Sequence, residues 1–323
     1  MRYRGQHIAL IVPCYNEEAA IEAVVADFRK AMPEIDVFVF DNNSSDRTME
    51  IAREAGAKVV PVPLRGKGNV VRRMFADVDA DLYVMVDGDA TYDASAVRRL
   101  VDKLLDDHLD MVVGCREAEV SLAGEAYRRG HQWGNRMLTQ SVVSIFGGNF
   151  TDMLSGYRVF SRRYAKSFPA LSHGFETETE LTVHALELRM PYGEVMTAYG
   201  ARPEGSVSKL STYRDGWRIL KTIGRLYVRE RPFAFFGIFA LILALASVLL
   251  SLPLLAEYLR EGLVPRLPTA VLSASMMLSA LLSFVCGLIL DNVTCGRQET
   301  KRLAYLAIPP PCVPAARQEN LLD

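Results

Sequence analysis

The sequence is short of several features that would place it quickly. Its five cysteines (Cys14, Cys115, Cys286, Cys295, Cys312) form no C-x-x-C pair, and its five histidines are equally scattered. That excludes a disulfide framework and a zinc knuckle, and it fits a reducing compartment. Neither sign of charge is in excess: 37 Lys+Arg face 38 Asp+Glu in 323 residues. The chain is therefore neither a disordered polyampholyte nor a strongly basic nucleic-acid binder, and no nucleic-acid partner is expected. The opening MRYRGQHIALIVP holds too short an apolar run for a secretory signal, so export of the N-terminal region is not expected. The Walker A spacing G-x-x-x-x-G-K-[ST] is absent as well.

What is abundant is apolar side chains, at 50% of the chain, and they are unevenly spread. The mean hydropathy of +0.10 is high for a chain with 23% charged residues. From Pro232 to Ala256, and again from Leu267 to Leu290, there is no charged side chain. Each run is long enough, at ~1.5 Å per residue, to cross a ~30 Å hydrocarbon core as a helix. Pro253 and Pro268 are read as lying near the ends of these helices, where a missing backbone donor costs least. Arg218, Lys221, Arg225, Arg229 and Arg231 precede the first run, and Arg297, Lys301 and Arg302 follow the second. In the link, Arg260 and Arg266 are offset by Glu257 and Glu261. The bias predicts a multi-pass inner-membrane protein with its N-terminal domain in the cytoplasm. Tyr213, Trp217, Leu220 and Tyr227 beside a stripe of Arg and Lys predict an amphipathic helix in the headgroup layer of the bilayer, although an amphipathic helix packed on the soluble domain would show the same pattern. Tyr127 to Phe146 is a second candidate, which could equally be core. Ser273, Ser275, Ser279 and Ser283 would permit close helix contacts and, with them, a homo-oligomer. The expected organisation is 1–210, a catalytic domain; 211–231, a juxtamembrane helix; 232–290, two spans; and 291–323, a cytoplasmic tail.

Before residue 115, short apolar runs alternate with helical patterns. His7 to Pro13, Asp36 to Phe40, Lys58 to Val62, Asp81 to Val86 and Asp110 to Cys115 read as buried strands. Glu17 to Met32, Asp46 to Ala55, Gly68 to Asp77 and Ala94 to Asp106 read as helices, the first capped by Asn16. This predicts an α/β, doubly wound parallel sheet with its ligand site at the carboxyl ends of the strands. Polar clusters follow those ends. Asp41, in DNNSSDRT, is placed to accept hydrogen bonds from a ribose or base edge, although such a loop also forms for local reasons. Lys67, in RGKGN, could approach a diphosphate, although a plain turn would look the same. The apolar strand LYVMV runs into Asp87-Gly88-Asp89, and residues two apart on an extended chain share a side. Two carboxylates this close repel each other, and a hard cation such as Mg²⁺ or Mn²⁺ relieves the repulsion. Such an ion completes its shell with phosphate oxygens and water, which points to a nucleotide diphosphate.

IVPCYNEE, DNNSSDRT, DGD, DMLSGYRVFSRR, GFETETEL and RPEGSVSKLSTYRDGWRIL, followed by two apolar runs, resemble the membrane-anchored polyprenyl-phosphate glycosyltransferases of family two, relatives of the dolichyl-phosphate mannose and glucose synthases. The resemblance covers residues 7 to about 290. It implies a GT-A (Rossmann-like) fold, a nucleotide-sugar donor (a UDP-sugar or GDP-mannose) and the phosphate of a long isoprenoid lipid as acceptor. By motif, Asp41 would bind the nucleoside, and Asp87 and Asp89 the metal and donor diphosphate. Asp152 would contact the sugar, Arg158 would brace its segment, and Glu178 would line the sugar pocket. Arg116, one of Arg128 and Arg129, Arg202, Ser208 and Lys209 would receive the lipid phosphate. The chain departs from the family at Asn42, where a second acid is common, at Thr91, where mannose synthases usually have Gln, and at His131 and Gln132.

An acceptor phosphate monoester has a second pKa near ~6, so at neutral pH it is already anionic and needs no general base. The expected reaction is in-line displacement at the anomeric carbon with inversion. The cation, with Lys67 or Arg116, would stabilise the departing nucleoside diphosphate. Two alternatives remain: a transferase directed at a hydroxyl of a glycolipid, which would need a carboxylate base, and a catalytically silent membrane protein that binds and recruits.

Overall fold

The computed structural model describes residues 2–118, 137–172, 174, 176–203 and 212–311. The chain divides into two compact units, one of Met1–Lys221 with Lys301–Asp323 and the other of Thr222–Thr300.

In the first unit seven strands form one sheet: β1 (Ile8–Cys14), β2 (Asp36–Asp41), β3 (Lys58–Pro61), β4 (Leu82–Met85), β5 (Met111–Ala118), β6 (Arg158–Ser161) and β7 (Tyr192–Tyr199), in the order β3-β2-β1-β4-β6-β5-β7. The first four pair in parallel, and β5 pairs in parallel with β7. β6 runs antiparallel between β4 and β5, so the sheet is mixed and not wholly parallel as the alternation predicts. The departure follows from the chain path. β6 is only four residues long and leaves the D-M-L-S-G-Y turn heading back along the sheet, and Ser161 N–H then bonds to Asp110 C=O at 3.0 Å.

Both faces are covered, which is why the strands read as continuous apolar runs. Ile8, Leu10, Val12 and Cys14 enter one core beneath α1 (Ile21–Ala31), α2 (Thr48–Glu54) and α4 (Val97–Asp106). Ala9 and Ile11 enter the other, beneath α3 (Lys67–Asp77), α6 (Arg162–Ser167) and α7 (Thr177–Glu187). A further helix, α5, spans Met137–Phe146; the earlier part of the 127–146 candidate lies outside the described residues.

The first helix starts later than expected, and Asn16 does not cap it. Asn16 has φ 53°, and its side-chain oxygen accepts a hydrogen bond from Ser45 N–H at 2.8 Å. Glu17 N–H bonds to Thr48 Oγ1 at 2.8 Å, so the polar turn after β1 is tied to the turn after β2, and α1 begins at Ile21 without a side-chain cap.

His184 on α7 is 2% exposed and packs edge-on against Tyr164 and Phe168, with Ser167 Oγ 3.1 Å from Nε2. Burial, with a contribution from Lys301, pushes its pKa down to about 3. The unfolded chain therefore binds the extra proton first as pH falls below the ordinary histidine value of 6.5. Stability from this group is full above that value and is lost as pH drops toward 3, at up to ~1.4 kcal/mol per pH unit. Denaturation in detergent at pH 7.5 and pH 5.0 should show wild type losing about 2 kcal/mol more than His184→Gln across that interval.

In the second unit, α9 (Pro232–Glu261) and α10 (Leu267–Leu306) are long and apolar enough to cross a bilayer. Pro253 lies inside α9, not near its end, whereas Pro268 falls in the first turn of α10. α10 continues past the apolar run, through Leu306. Apart from Pro232, the buried positions recur every seven residues: Ala240, Ser247 and Leu254 on α9, and Ser273, Ala280, Gly287 and Thr294 on α10. Ser247 Oγ donates to Ser273 C=O at 2.7 Å, and a β-carbon at Gly287 would lie 3.1 Å from that of Phe236. Leu241, Leu249, Leu272, Leu281 and many others stay exposed along the two helices. On α8 (Thr212–Glu230) the buried pair is Ile219 and Ile223, while Trp217 is 69% exposed and Leu220 is exposed too.

Candidate active site

The site grows from the carboxyl ends of β1, β2 and β4. β4 is apolar and fully buried, so it delivers Asp87 and Asp89 to the rim in a fixed register. Asp41 ends β2 beside them. It is 2% exposed; one oxygen accepts from Ser44 N–H at 3.1 Å, and the other, Oδ1, is buried without a partner. Cys14, at the end of β1, lies beneath this group. Burial, then the charges of Glu17, Asp41, Asp87 and Asp89, push its thiol well up, so it is an inert packing group.

Each of four carboxylates meets a cation. Lys67, at the start of α3, bridges two of them: Nζ is 2.5 Å from Asp87 Oδ1 and 2.5 Å from Glu178 Oε1. Burial alone would lower the lysine pKa, but the two carboxylates outweigh it and the net shift is upward. Arg116 grips Asp152 with both ends of its fork, Nε to Oδ2 at 2.7 Å and Nη2 to Oδ1 at 2.8 Å. Arg202 places Nε and Nη2 on Asp89 Oδ2 at 3.0 and 2.7 Å. Its Nη1 and Glu178 Oε2 are buried without hydrogen-bond partners.

Three further residues shape this arrangement, and none is singled out for that role by the sequence. Asn42 donates to Val62 C=O at 3.1 Å and Leu64 C=O at 2.7 Å, and accepts from Gly66 N–H at 2.6 Å. An aspartate could not donate to those carbonyls, so asparagine at the position where the resemblance leads one to expect an acid is what pins the Lys67 loop. Thr91 donates through Oγ1 to Asp89 Oδ1 at 2.6 Å; it orients a carboxylate. Gly156 stands where any β-carbon would overlap the Asp87 carboxylate, so the D-M-L-S-G-Y turn can close over the acid only with glycine there.

That turn is held from beneath by Arg158, which is fully buried. Its guanidinium donates to Ser155 C=O at 3.0 Å, to Met153 C=O and to Thr182 Oγ1 at 3.0 Å. The structure thus brings together Asp41, Lys67, Asp87, Asp89, Arg116, Asp152, Glu178 and Arg202. Arg128, Arg129, Ser208 and Lys209 lie outside the described residues.

Among the described residues no group of three or more His, Cys, Asp and Glu side chains converges as a protein-only metal cage. Asp87 and Asp89 nevertheless fit a hard divalent cation that takes its remaining ligands from phosphate and water. Both carboxylates already engage cationic side chains.

A mixed sheet of this order, with paired aspartates at the end of its fourth strand, defines a GT-A-type glycosyltransferase domain. Residues 9–168 match the family model for glycosyl transferase family 2, and the chain belongs to that family. It is 35% identical over 231 residues to glycosyltransferase AglJ of Haloferax volcanii, covering 71% of this chain and 75% of that one. It is 28% identical over 235 residues to a dolichyl-phosphate hexose transferase of the same organism, covering 71% and 97%. Among solved structures, glucosyl-3-phosphoglycerate synthase of Mycobacterium tuberculosis with Mn²⁺ and UDP-glucose aligns with a TM-score of 0.56 at 25% identity, over 68% of this chain and 79% of that one.

Proposed function

We propose that this glycosyltransferase moves a sugar from a nucleotide-sugar donor to the phosphate of a polyprenyl lipid at the cytoplasmic face of the inner membrane, inverting the anomeric carbon. The observation that carries the reading is the contact of Arg202 with Asp89: the first residue of the basic R-P-E-G-S-V-S-K segment reaches the acid assigned to the donor's diphosphate. The two apolar helices and a relative named as a dolichyl-phosphate hexose transferase support a lipid acceptor. The Mn²⁺ and UDP-glucose in a structural neighbour support the donor class.

Within this reading Asp41, with its unpartnered oxygen, receives the nucleoside. Asp87 and Asp89 would hold Mg²⁺ or Mn²⁺, which supplies charge neutralisation on the leaving diphosphate. Lys67 keeps its proton and presents it beside Asp87, adding positive charge where negative charge develops. Asp152, fixed by Arg116, and Glu178, fixed by Lys67, face the sugar hydroxyls as oriented acceptors. Arg202, with Ser208 and Lys209 further along the segment, receives the acceptor phosphate, Arg202 through a planar fork suited to it. The acceptor arrives ionised, so no side chain has to remove a proton.

The test is transfer by the purified full chain in detergent with Mn²⁺, a panel of nucleotide sugars, and polyprenyl phosphate or polyprenol as acceptor, with products read by mass spectrometry. Polyprenyl phosphate should be glycosylated, and Asp89→Asn should slow turnover by roughly 10²–10³-fold. Transfer to polyprenol alone would establish a hydroxyl acceptor instead. Undiminished turnover by Asp89→Asn would remove the metal assignment.

A further inference from the structure

We infer that Arg202 is a place-holder for the divalent cation: it occupies Asp89 while the metal is absent, and metal binding evicts it and frees its guanidinium for phosphate. The inference rests on the assignment of Asp87 and Asp89 to the metal. Asp89 has no uncommitted oxygen, because Oδ1 accepts from Thr91 Oγ1 at 2.6 Å and Oδ2 accepts both Nε and Nη2 of Arg202. A cation that takes Oδ2 must displace Arg202, and one that takes Oδ1 must sit beside the guanidinium charge on the same carboxylate.

The two partners are not equally held. Thr91 is two residues from Asp89 and also offers its backbone N–H to the same Oδ1 at 3.3 Å, so it turns with the loop. Arg202 arrives from 113 residues away along the chain, and its side chain is 25% exposed, against 7% for that of Asp89. It has water to move into. Its backbone, however, is moored to the same loop: Gly200 N–H bonds to Thr91 C=O at 2.9 Å, and Tyr199 bridges to Tyr92. Eviction can therefore be a side-chain swing about a fixed hinge point that leaves the guanidinium beside the metal. Nη1, already buried without a partner, gives the displaced fork a donor for an incoming phosphate. Two cations on one carboxylate repel, whereas a diphosphate between them attracts both. Metal alone should bind against Arg202, and metal with a phosphate should bind with its help.

The experiment titrates Mn²⁺ into the full chain in detergent without nucleotide, reading free Mn²⁺ by electron paramagnetic resonance. Arg202→Gln should bind Mn²⁺ alone roughly 5- to 20-fold more tightly than wild type, and Asp89→Asn should lose the site. In parallel, phenylglyoxal labelling of wild type, read by mass spectrometry on the Arg202 peptide, should rise when Mn²⁺ is added. If Asp89→Asn loses the ion while Arg202→Gln binds it equally or more weakly, or if labelling is unmoved by Mn²⁺, the place-holder role is overturned and the metal assignment stands. If Asp89→Asn binds Mn²⁺ like wild type, the metal assignment fails and the inference falls with it.

Discussion

Lys67→Met should cost about 3–5 kcal/mol of stability and should also lower sugar transfer roughly a thousandfold, the largest combined effect expected of any single change in the site. The reason is that, among the described residues, Lys67 is the cation on both Asp87 Oδ1 and Glu178 Oε1, with 10% of its own side chain and 6% of that of Glu178 exposed. Methionine fills the space but leaves the buried Glu178 carboxylate and the part-exposed Asp87 carboxylate without the cation that bridged them. Because the lysine pKa is raised, the stabilisation is complete below the ordinary value of 10.5 and disappears only at still higher pH, so wild type shows no loss from this group near neutrality. A second substitution separates folding from chemistry. Lys67→Met with Glu178→Gln removes the more buried of the two stranded charges, so thermal unfolding should recover much of the loss while transfer stays at the level of the single variant. Recovery of transfer along with stability would mean that Lys67 only supports the fold.

How far the sequence foretells such a site depends on whether the relevant contacts are local. The strands are legible because both faces of a covered sheet are apolar, and β1, β2, β4 and β5 fall within a few residues of their expected bounds. The two long apolar helices are legible for the same reason, since composition alone marks them. The antiparallel β6 is not, because four residues carrying an arginine show no strand pattern; the arginine is swallowed by hydrogen bonds to carbonyls that only the folded turn provides. The true start of α1 is hidden similarly: Asn16 looks like a cap until Ser45, 29 residues on, claims its side chain.

The same distinction runs through the site. Clustering acids after strand ends follows from chain geometry and can be read in advance, as the positions of Asp41, Asp87 and Asp89 show. Which cation answers which acid cannot be, because the pairs Lys67–Asp87, Lys67–Glu178, Arg116–Asp152 and Arg202–Asp89 join separate elements. Periodicity carries no information about them. Asn42 is instructive in the other direction. As a departure from the resembled pattern it looks like a lost acid, yet its amide makes three bonds, two of which it donates and an ionised acid could not reproduce.

Arg158→Met should cost about 3 kcal/mol and abolish measurable transfer, although Arg158 touches no reacting group. Its guanidinium satisfies the carbonyls of Met153 and Ser155 and the hydroxyl of Thr182; removing it leaves those buried acceptors unpaired, at ~1–3 kcal/mol each, offset in part by release of a costly buried charge. Burial is what lowers the pKa of this arginine, which marks how unfavourable the charge would be without those acceptors. The turn it holds carries Asp152, clamped to Arg116, and Gly156, pressed on Asp87, so loosening it misplaces two carboxylates at once. Asp152→Asn provides the contrast. It keeps the turn's backbone bonds and weakens the pair with Arg116, in which the carboxylate is 9% and the guanidinium 27% exposed, so its melting temperature should fall by less than that of Arg158→Met while transfer falls by about 10²-fold. Thermal unfolding and transfer measured on both variants check the division: loss of transfer without loss of stability in Arg158→Met would place the arginine in the chemistry, and equal destabilisation by Asp152→Asn would make the carboxylate, not the guanidinium, the keystone of the turn.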